Sequence, residues 1–259
     1  MNEINRMGET NISNEGYEMK IIKYNGCMDI WVEFQDEHSA NVHAQYSSFK
    51  NGEVKNPYHK SVFGVGYLGQ GKYKTMDEYN KHTMIYKTWQ RMLKRCYDAY
   101  YINKYPSYID CIVCKEWHNF QSFASWYETN YYEIPNEKME LDKDILIKEN
   151  KIYSPETCMF VPKRINILFT KCNAIRGKYP IGVCLNKNVN KFMAYCSFLN
   201  ENGKKKKKTL GYYNTSEEAF LVYKQFKEKY IRQIANEYKD LIPNKLYEAL
   251  YRYEVEIND

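Results

Sequence analysis

Asp142, Lys143 and Asp144 stand side by side in LDKDILIKENKIYSPETC, Leu141 to Cys158, and Asn166 follows in MFVPKRINILF. The first stretch reads as a strand, a polar turn at Lys148-Glu149-Asn150 and a second strand. Pro162 suits the first turn of a helix that would carry Asn166 inward. Carboxylates on a hairpin facing an amide on the next helix make an oxygen-rich set that can hold a divalent cation against a phosphodiester. Asp142, Asp144 and Asn166 are the candidate metal ligands, and Mg2+ with several waters retained is the ion that suits them. Hydrolysis also needs a group that deprotonates water, and the residue between the two acids is Lys143. An unperturbed histidine titrates near neutrality, whereas a lysine does so near 10.4, and acidic neighbours favour its charged form. Lys143 therefore suits binding phosphate or stabilising charge better than accepting a proton. None of the five His is an obvious substitute; His118, the nearest in sequence, is expected to be structural.

Cys111 and Cys114 form one CxxC pair, while Cys158 and Cys172 are separated by 13 residues. A four-cysteine zinc staple ordinarily uses two close pairs, so Zn2+ is not expected here. The eight Cys are expected to be mostly reduced, several of them packed as small hydrophobes.

These groups must be positioned by a chain of 259 residues, long enough for two or three small domains, each with its own core. Hydrophobic residues make up 44% and charged residues 27%, an ordinary globular balance. The 27 Tyr are unusual, and suit small β domains and surfaces that stack on a polar partner. The net charge of +6 favours polyanions, with nucleic acid the first candidate. No apolar run is long enough to span a membrane, and the polar residues 1–16 read as a flexible leader without the core of a signal peptide. A cytoplasmic location is expected.

Residues 17–75 carry β signals: MKIIKY, then DIWVEF, where Ile30, Val32 and Phe34 alternate with Asp29, Trp31 and Glu33. With the glycines of SVFGVGYLGQGKY as bends rather than a phosphate cradle, they predict a small, strongly bent SH3-like barrel. From Asp77 to Ala99 the period becomes helical. Ile85, Trp89, Met92, Leu93 and Cys96 share one face, opposite a basic face of Lys87, Arg91, Lys94 and Arg95. A second helix carries Trp117, Phe120, Phe123, Ala124 and Tyr127 at the spacing of a buried stripe.

After a linker at NAIRGKYP, three strands are expected at 181–186, 191–199 and 206–213. A helix capped by Thr215 or Ser216 follows, with an apolar stripe at Ala219, Val222, Phe226 and Tyr230, and then a shorter appended helix. Alternation puts Lys191, Met193, Tyr195 and Ser197 on one face of the second strand, and Phe192, Ala194, Cys196 and Phe198 on the other. The second set would pack on the helix, leaving the first for a partner. GKKKKK, Gly203 to Lys208, adds charge between strands two and three, so that Lys204, Lys205, Lys206, Lys207 and Lys208 can neutralise phosphates.

Gly182-Val183, Lys191-Phe192-Met193-Ala194, Leu210-Gly211-Tyr212-Tyr213 and Thr215-x-Glu217-Glu218-Ala219, followed by Tyr223, resemble the AP2 family of DNA-binding domains over most of this module. The resemblance implies a three-stranded sheet lying in the major groove with the helix bracing its back. Plant members read bases with several Arg; here Lys187, Lys191 and Tyr195 stand in their place, which favours affinity over sequence specificity.

LDKDILIKENKIYSPETCMFVPKRIN resembles the ββα-metal core of the HNH endonucleases, especially the phage and homing types in which this core precedes a small DNA-binding module. The resemblance implies a metal-binding role for Asp142 and Asn166, and it places Lys143 where the family has its general-base His. The three are the candidate catalytic residues, with the departure at Lys143 weighing against cleavage.

The expected architecture is α+β and multi-domain. It comprises a leader at 1–16, an SH3-like barrel at 17–75, an HNH-like ββα domain at 77–175, an AP2-like sheet and helix at 178–238 and a helical tail at 239–259. The expected function is a phage-type protein that binds double-stranded DNA on an HNH scaffold, in the cytoplasm of a bacterial host, with Mg2+-dependent endonuclease activity as its enzymatic form. Two alternatives stand beside it. One is an inactive phage interaction protein that antagonises a host nucleoprotein or defence complex, of the anti-CRISPR or anti-restriction kind, and the other is a transcriptional regulator.

Overall fold

The computed structural model describes residues 5–169, 178–199 and 205–257, and the chain is of the α+β class. It divides into two compact units, one of Met1–Thr129 with Lys151–Ser154, the other of Asn130–Asn150 with Pro155–Asp259. No helix among the described residues is long and apolar enough to cross a membrane.

The first unit begins with an antiparallel meander of β1 (Thr10–Ile12), β2 (Glu18–Tyr24), β3 (Ile30–Phe34) and β4 (Asn41–Ala44). Alternation buries Met19 and Ile21 of β2 against Ile30, Val32 and Phe34 of β3, and the short helix α1 (Tyr46–Lys50) lays Phe49 on the same core. Burying side chains of this size stabilises the fold by roughly 1.5–3 kcal/mol each. Two expectations are corrected here. Residues 10–12, placed in a flexible leader, form an edge strand, held by the ladder to β2 and by the Asn11 amide donating to the carbonyls of Phe49 and Lys50. The sheet, in turn, is not a closed barrel: its order runs β1-β2-β3-β4 and stops. The glycine-rich stretch that was to close it packs on helices instead. At Gly66 an added Cβ would lie 2.5 Å from Leu93 Cδ1 and 3.0 Å from the Trp89 ring, an approach that only glycine permits.

Those helices are α2 (Met84–Tyr97) and α4 (Phe120–Asn130), with α3 (Ala99–Lys104) between them. Thr83 caps α2 by accepting from the Tyr86 amide, and the helix buries Trp89, Met92, Leu93 and Cys96. The Trp89 indole donates to Trp117 O at 2.7 Å, joining α2 to the turn before α4, whose Phe120 and Phe123 complete the core. β5 (Ile112–Val113) pairs in parallel with β7 (Ile152–Tyr153).

In the second unit β6 (Met139–Asp142) pairs antiparallel with β8 (Met159–Pro162), and α5 (Lys163–Asn166) follows directly. The expected hairpin therefore has a different second strand. Residues 152–153 leave it for β5, and Asp142 lies opposite Met159. Pro162 sits one residue before the helix it opens.

The remaining sheet has the order β11-β10-β9, from β9 (Val183–Asn186), β10 (Lys191–Leu199) and β11 (Lys205–Tyr213). α6 (Ser216–Glu237) starts with a capping box in which Thr215 Oγ1 accepts from the Glu218 amide and the Glu218 carboxylate accepts from the Thr215 amide. At 1.5 Å per residue this 22-residue helix is about 33 Å long, long enough to serve two cores. Ala219, Phe220 and Tyr223 pack on the sheet. Ile231, Ile234 and Ala235 pack with Met159, Val161 and Ile165 of the ββα segment and with Leu246 and Leu250 of α7 (Asn244–Tyr251).

Candidate nucleic-acid interface

The sheet has one covered and one open face, set by the alternation of β10. Ala194 and Cys196 are buried, Phe192 belongs to the core beneath α6, and the Phe198 ring meets Tyr230 of α6. Lys191, Met193, Tyr195 and Ser197 take the other side. The partners on β11 follow from the register: Tyr195 faces Thr209, Ser197 faces Lys207 and Cys196 faces Lys208. A bulge between Ala194 and Tyr195 leaves Leu210 as the extra residue, so that Tyr212 comes opposite Met193 on the open side, 48% exposed.

The lysine run is thereby split. The Lys207 ammonium stands on the open face 3.7 Å from the centre of the Tyr195 ring, a cation–π pair. The Lys208 ammonium lies 4.9 Å over Phe226 of α6, on the covered side, and Lys206 lies opposite Phe198. Lys205 is opposite Leu199 in the ladder, and Lys204 lies outside the described residues. Lys191 opens β10, and Lys187 is exposed in the turn before it. Of the expected set, Lys187, Lys191, Tyr195 and Lys207 share the open face or its rim. Thr209 and Tyr212 join them, and only the position of the bulge reveals Tyr212.

The acidic hairpin is differently occupied. Asp142 Oδ1 accepts from the amides of Asp144 at 2.8 Å and Ile145 at 2.7 Å, closing a tight turn. Burial holds the Asp142 carboxyl above the usual carboxylate range, partly offset by these two amides. Lys143 is only 6% exposed, and its ammonium donates to Asp144 Oδ1 at 2.6 Å and to Asn150 O at 2.5 Å. The Asn150 amide donates back to Lys143 O at 2.8 Å. Lys143 and Asn150 thus pin both ends of the loop between them. The Asn166 side chain donates to Glu140 Oε2 at 2.9 Å. Glu140, two residues before Asp142 on β6, is a partner that the sequence did not single out.

Mg2+ requires near-octahedral oxygen ligands at about 2.0–2.1 Å. Each of these groups already holds a hydrogen-bond partner. Asn166 is engaged by Glu140, Asp144 by the Lys143 ammonium, and one Asp142 oxygen by backbone amides. Among the described residues no three His, Cys, Asp or Glu side chains form a metal-holding group. Cys111 and Cys158 are buried, Cys114 is half-buried, and Cys172 lies outside the described residues. His118 sits 3.2 Å from Val113 O and 3.4 Å from the Tyr97 hydroxyl, and burial lowers its pKa.

The chain thus presents an open basic and aromatic sheet face, and an acidic hairpin in which Asp142, Lys143 and Asn150 brace their own loop. No protein-family model, curated protein or solved structure matches the chain.

Proposed function

We propose that the protein binds duplex DNA through the open face of β9, β10 and β11, with the HNH-like ββα segment serving as scaffold. The observation that carries this reading is the Tyr195–Lys207 pair on the side of the sheet away from α6, flanked by Lys191 and Lys187. B-DNA's major groove, about 12 Å wide, admits a β-ribbon, and lysines along its rim neutralise phosphates by releasing counterions. Tyrosine adds a hydroxyl and a ring edge for base contacts. Lysine is a point charge without the bidentate fork of arginine, which favours affinity over sequence discrimination. The Lys143 ammonium, buried and donating to Asp144 and Asn150 O where a base would be needed, supports binding without cleavage.

The test is an anisotropy titration of the full chain on a labelled duplex across a range of salt, with a parallel nicking assay in Mg2+ or Mn2+ and an Asp142→Ala variant. About four neutralised phosphates would give a slope of log K against log salt of roughly −3.6. Nicking that Asp142→Ala loses would restore the endonuclease reading. No affinity for duplex at low salt would overturn the DNA reading and point to a protein partner, such as a host defence complex.

A further inference from the structure

Arg95, on the basic face of α2, is half-buried, yet among the described residues it has no carboxylate partner. The two other half-buried arginines with an ion pair use one: Arg164 meets Glu237 at 3.0 Å and Arg6 meets Glu9 at 3.2 Å. Arg95 instead has a long contact of 3.5 Å to the Tyr153 hydroxyl, and its guanidinium carbon lies 5.7 Å from the centre of the Tyr108 ring. A guanidinium presents five N–H donors in a planar fork, and a partly desolvated cation without an acid is costly. A phosphate oxygen pair is the ligand that this fork matches.

The surroundings fit one class of phosphate. Tyr101 of α3, Tyr105, and Tyr108 of the following turn form a ring cluster, with centroids 4.6 Å apart for Tyr101–Tyr105 and 5.7 Å apart for Tyr101–Tyr108. The Lys94 ammonium lies 5.8 Å from the Tyr101 ring and that of Lys104 lies 5.6 Å from Tyr105. The acid nearest in sequence, Asp98, is spent on capping α3, accepting from the Tyr101 amide at 2.6 Å. Tyr105 is 41% exposed and its neighbour Tyr100 75%. Cations alternating with open rings suit a single strand, whose backbone takes the charges while its bases stack. We infer that Arg95 is a phosphodiester site for an unpaired nucleic-acid strand, with Tyr105 as its stacking ring, separate from the sheet proposed to bind duplex.

The experiment uses the full chain and a fluorescein-labelled oligothymidylate of about twenty nucleotides, long enough to cover one such site. Wild type should bind it at low salt. Arg95→Lys keeps the charge but loses the fork, and should weaken binding about tenfold. Tyr105→Ala should weaken it about fivefold or more by removing a stack. Tyr105 is exposed, so its variant decides the matter if the Arg95 variant does not fold. Unaltered affinity in folded variants, or no binding by wild type, overturns the site. Displacement of the strand by inorganic phosphate at similar concentration would overturn its assignment to nucleic acid. Both variants are also read against a labelled duplex. Equal losses on the two probes overturn a separate site, whereas strand binding weakened with duplex binding retained supports one.

Discussion

The ammonium of Lys207 rests 3.7 Å from the centre of the Tyr195 ring, on the side of the sheet that α6 does not cover. The pair holds a cation and a ring edge at fixed spacing where a duplex would dock. Tyr195→Ala and Lys207→Ala should each weaken duplex binding, by roughly 1 kcal/mol or about fivefold. Lys207→Ala should also reduce the salt slope by about 1, the signature of one phosphate contact. The double variant should lose less than the sum, because each single change already breaks the pair. Anisotropy titrations at several salt concentrations measure all three.

Lys208 offers the matching control within the same run of charge. Its ammonium lies over Phe226 on the covered side, so Lys208→Ala should cost less duplex affinity than Lys207→Ala. If binding were only attraction to a lysine-rich segment, the two substitutions would weaken it equally. The ratio of their dissociation constants is the deciding measurement.

Gly182 enters β9 with φ of +75°, and a Cβ there would sit 2.1 Å from Tyr223 Cδ2. Backbone and ring can be this close only without a side chain, and the positive φ adds strain for any other residue. Gly182→Ala should destabilise the sheet–helix core by about 2–4 kcal/mol, through overpacking and strain together. Chemical denaturation followed by tyrosine fluorescence would show the shift in midpoint.

Much of this architecture was legible because it rests on local periodicity. Ile30, Val32 and Phe34 turn inward in strict alternation, Trp89, Met92 and Leu93 share the buried face of α2, and Thr215 with Glu218 marks the start of α6. What periodicity cannot give is the identity of a strand's partner. Ile152 and Tyr153 look like the second arm of a hairpin, but their ladder runs to Ile112 and Val113, and Met159–Pro162 takes the place beside Asp142. The glycines at 64, 66, 69 and 71 read as bends of a barrel, whereas Gly66 is the point where the chain presses on Trp89 and Leu93. In the candidate sites the misses have the same origin. Tyr212 reaches the open face through a bulge, and Glu140 meets Asn166 across 26 residues of sequence.

Asp142 gives a pH dependence of known sign. Burial raises its pKa in the folded protein, so the fold binds the proton more tightly than the unfolded chain does. The stability it contributes is full below the unfolded value of about 4 and is lost as pH rises through the folded value. Asp142→Asn keeps an oxygen to accept from the amides of Asp144 and Ile145 but carries no charge. The variant should be more stable than wild type at neutral pH, and the difference should shrink towards zero near pH 3, below the unfolded value. Denaturant midpoints at the two pH values check it; equal stability at both would contradict the burial of this carboxylate.

Lys143 is the residue on which the catalytic reading turns, and its hydrogen bonds describe a strut. Its ammonium joins Asp144 to Asn150 O from a buried position, and Asn150 returns a bond to Lys143 O. Lys143→Met should leave the Asn150 carbonyl without this donor and destabilise the second unit by about 2 kcal/mol, in the range for a lost charge-assisted bond. Lys143→His supplies the group expected of an HNH base, but its shorter side chain should forfeit the same strut. With Asn166 held by Glu140 and Asp142 by two amides, a histidine at this position should not bring Mg2+-dependent nicking. Supercoiled plasmid incubated with Lys143→His in Mg2+ or Mn2+ is the assay. Nicking that appears there and vanishes in the Lys143→His, Asp142→Ala double variant would mean that a single substitution separates this segment from a working nuclease, and that its hairpin is more than a scaffold.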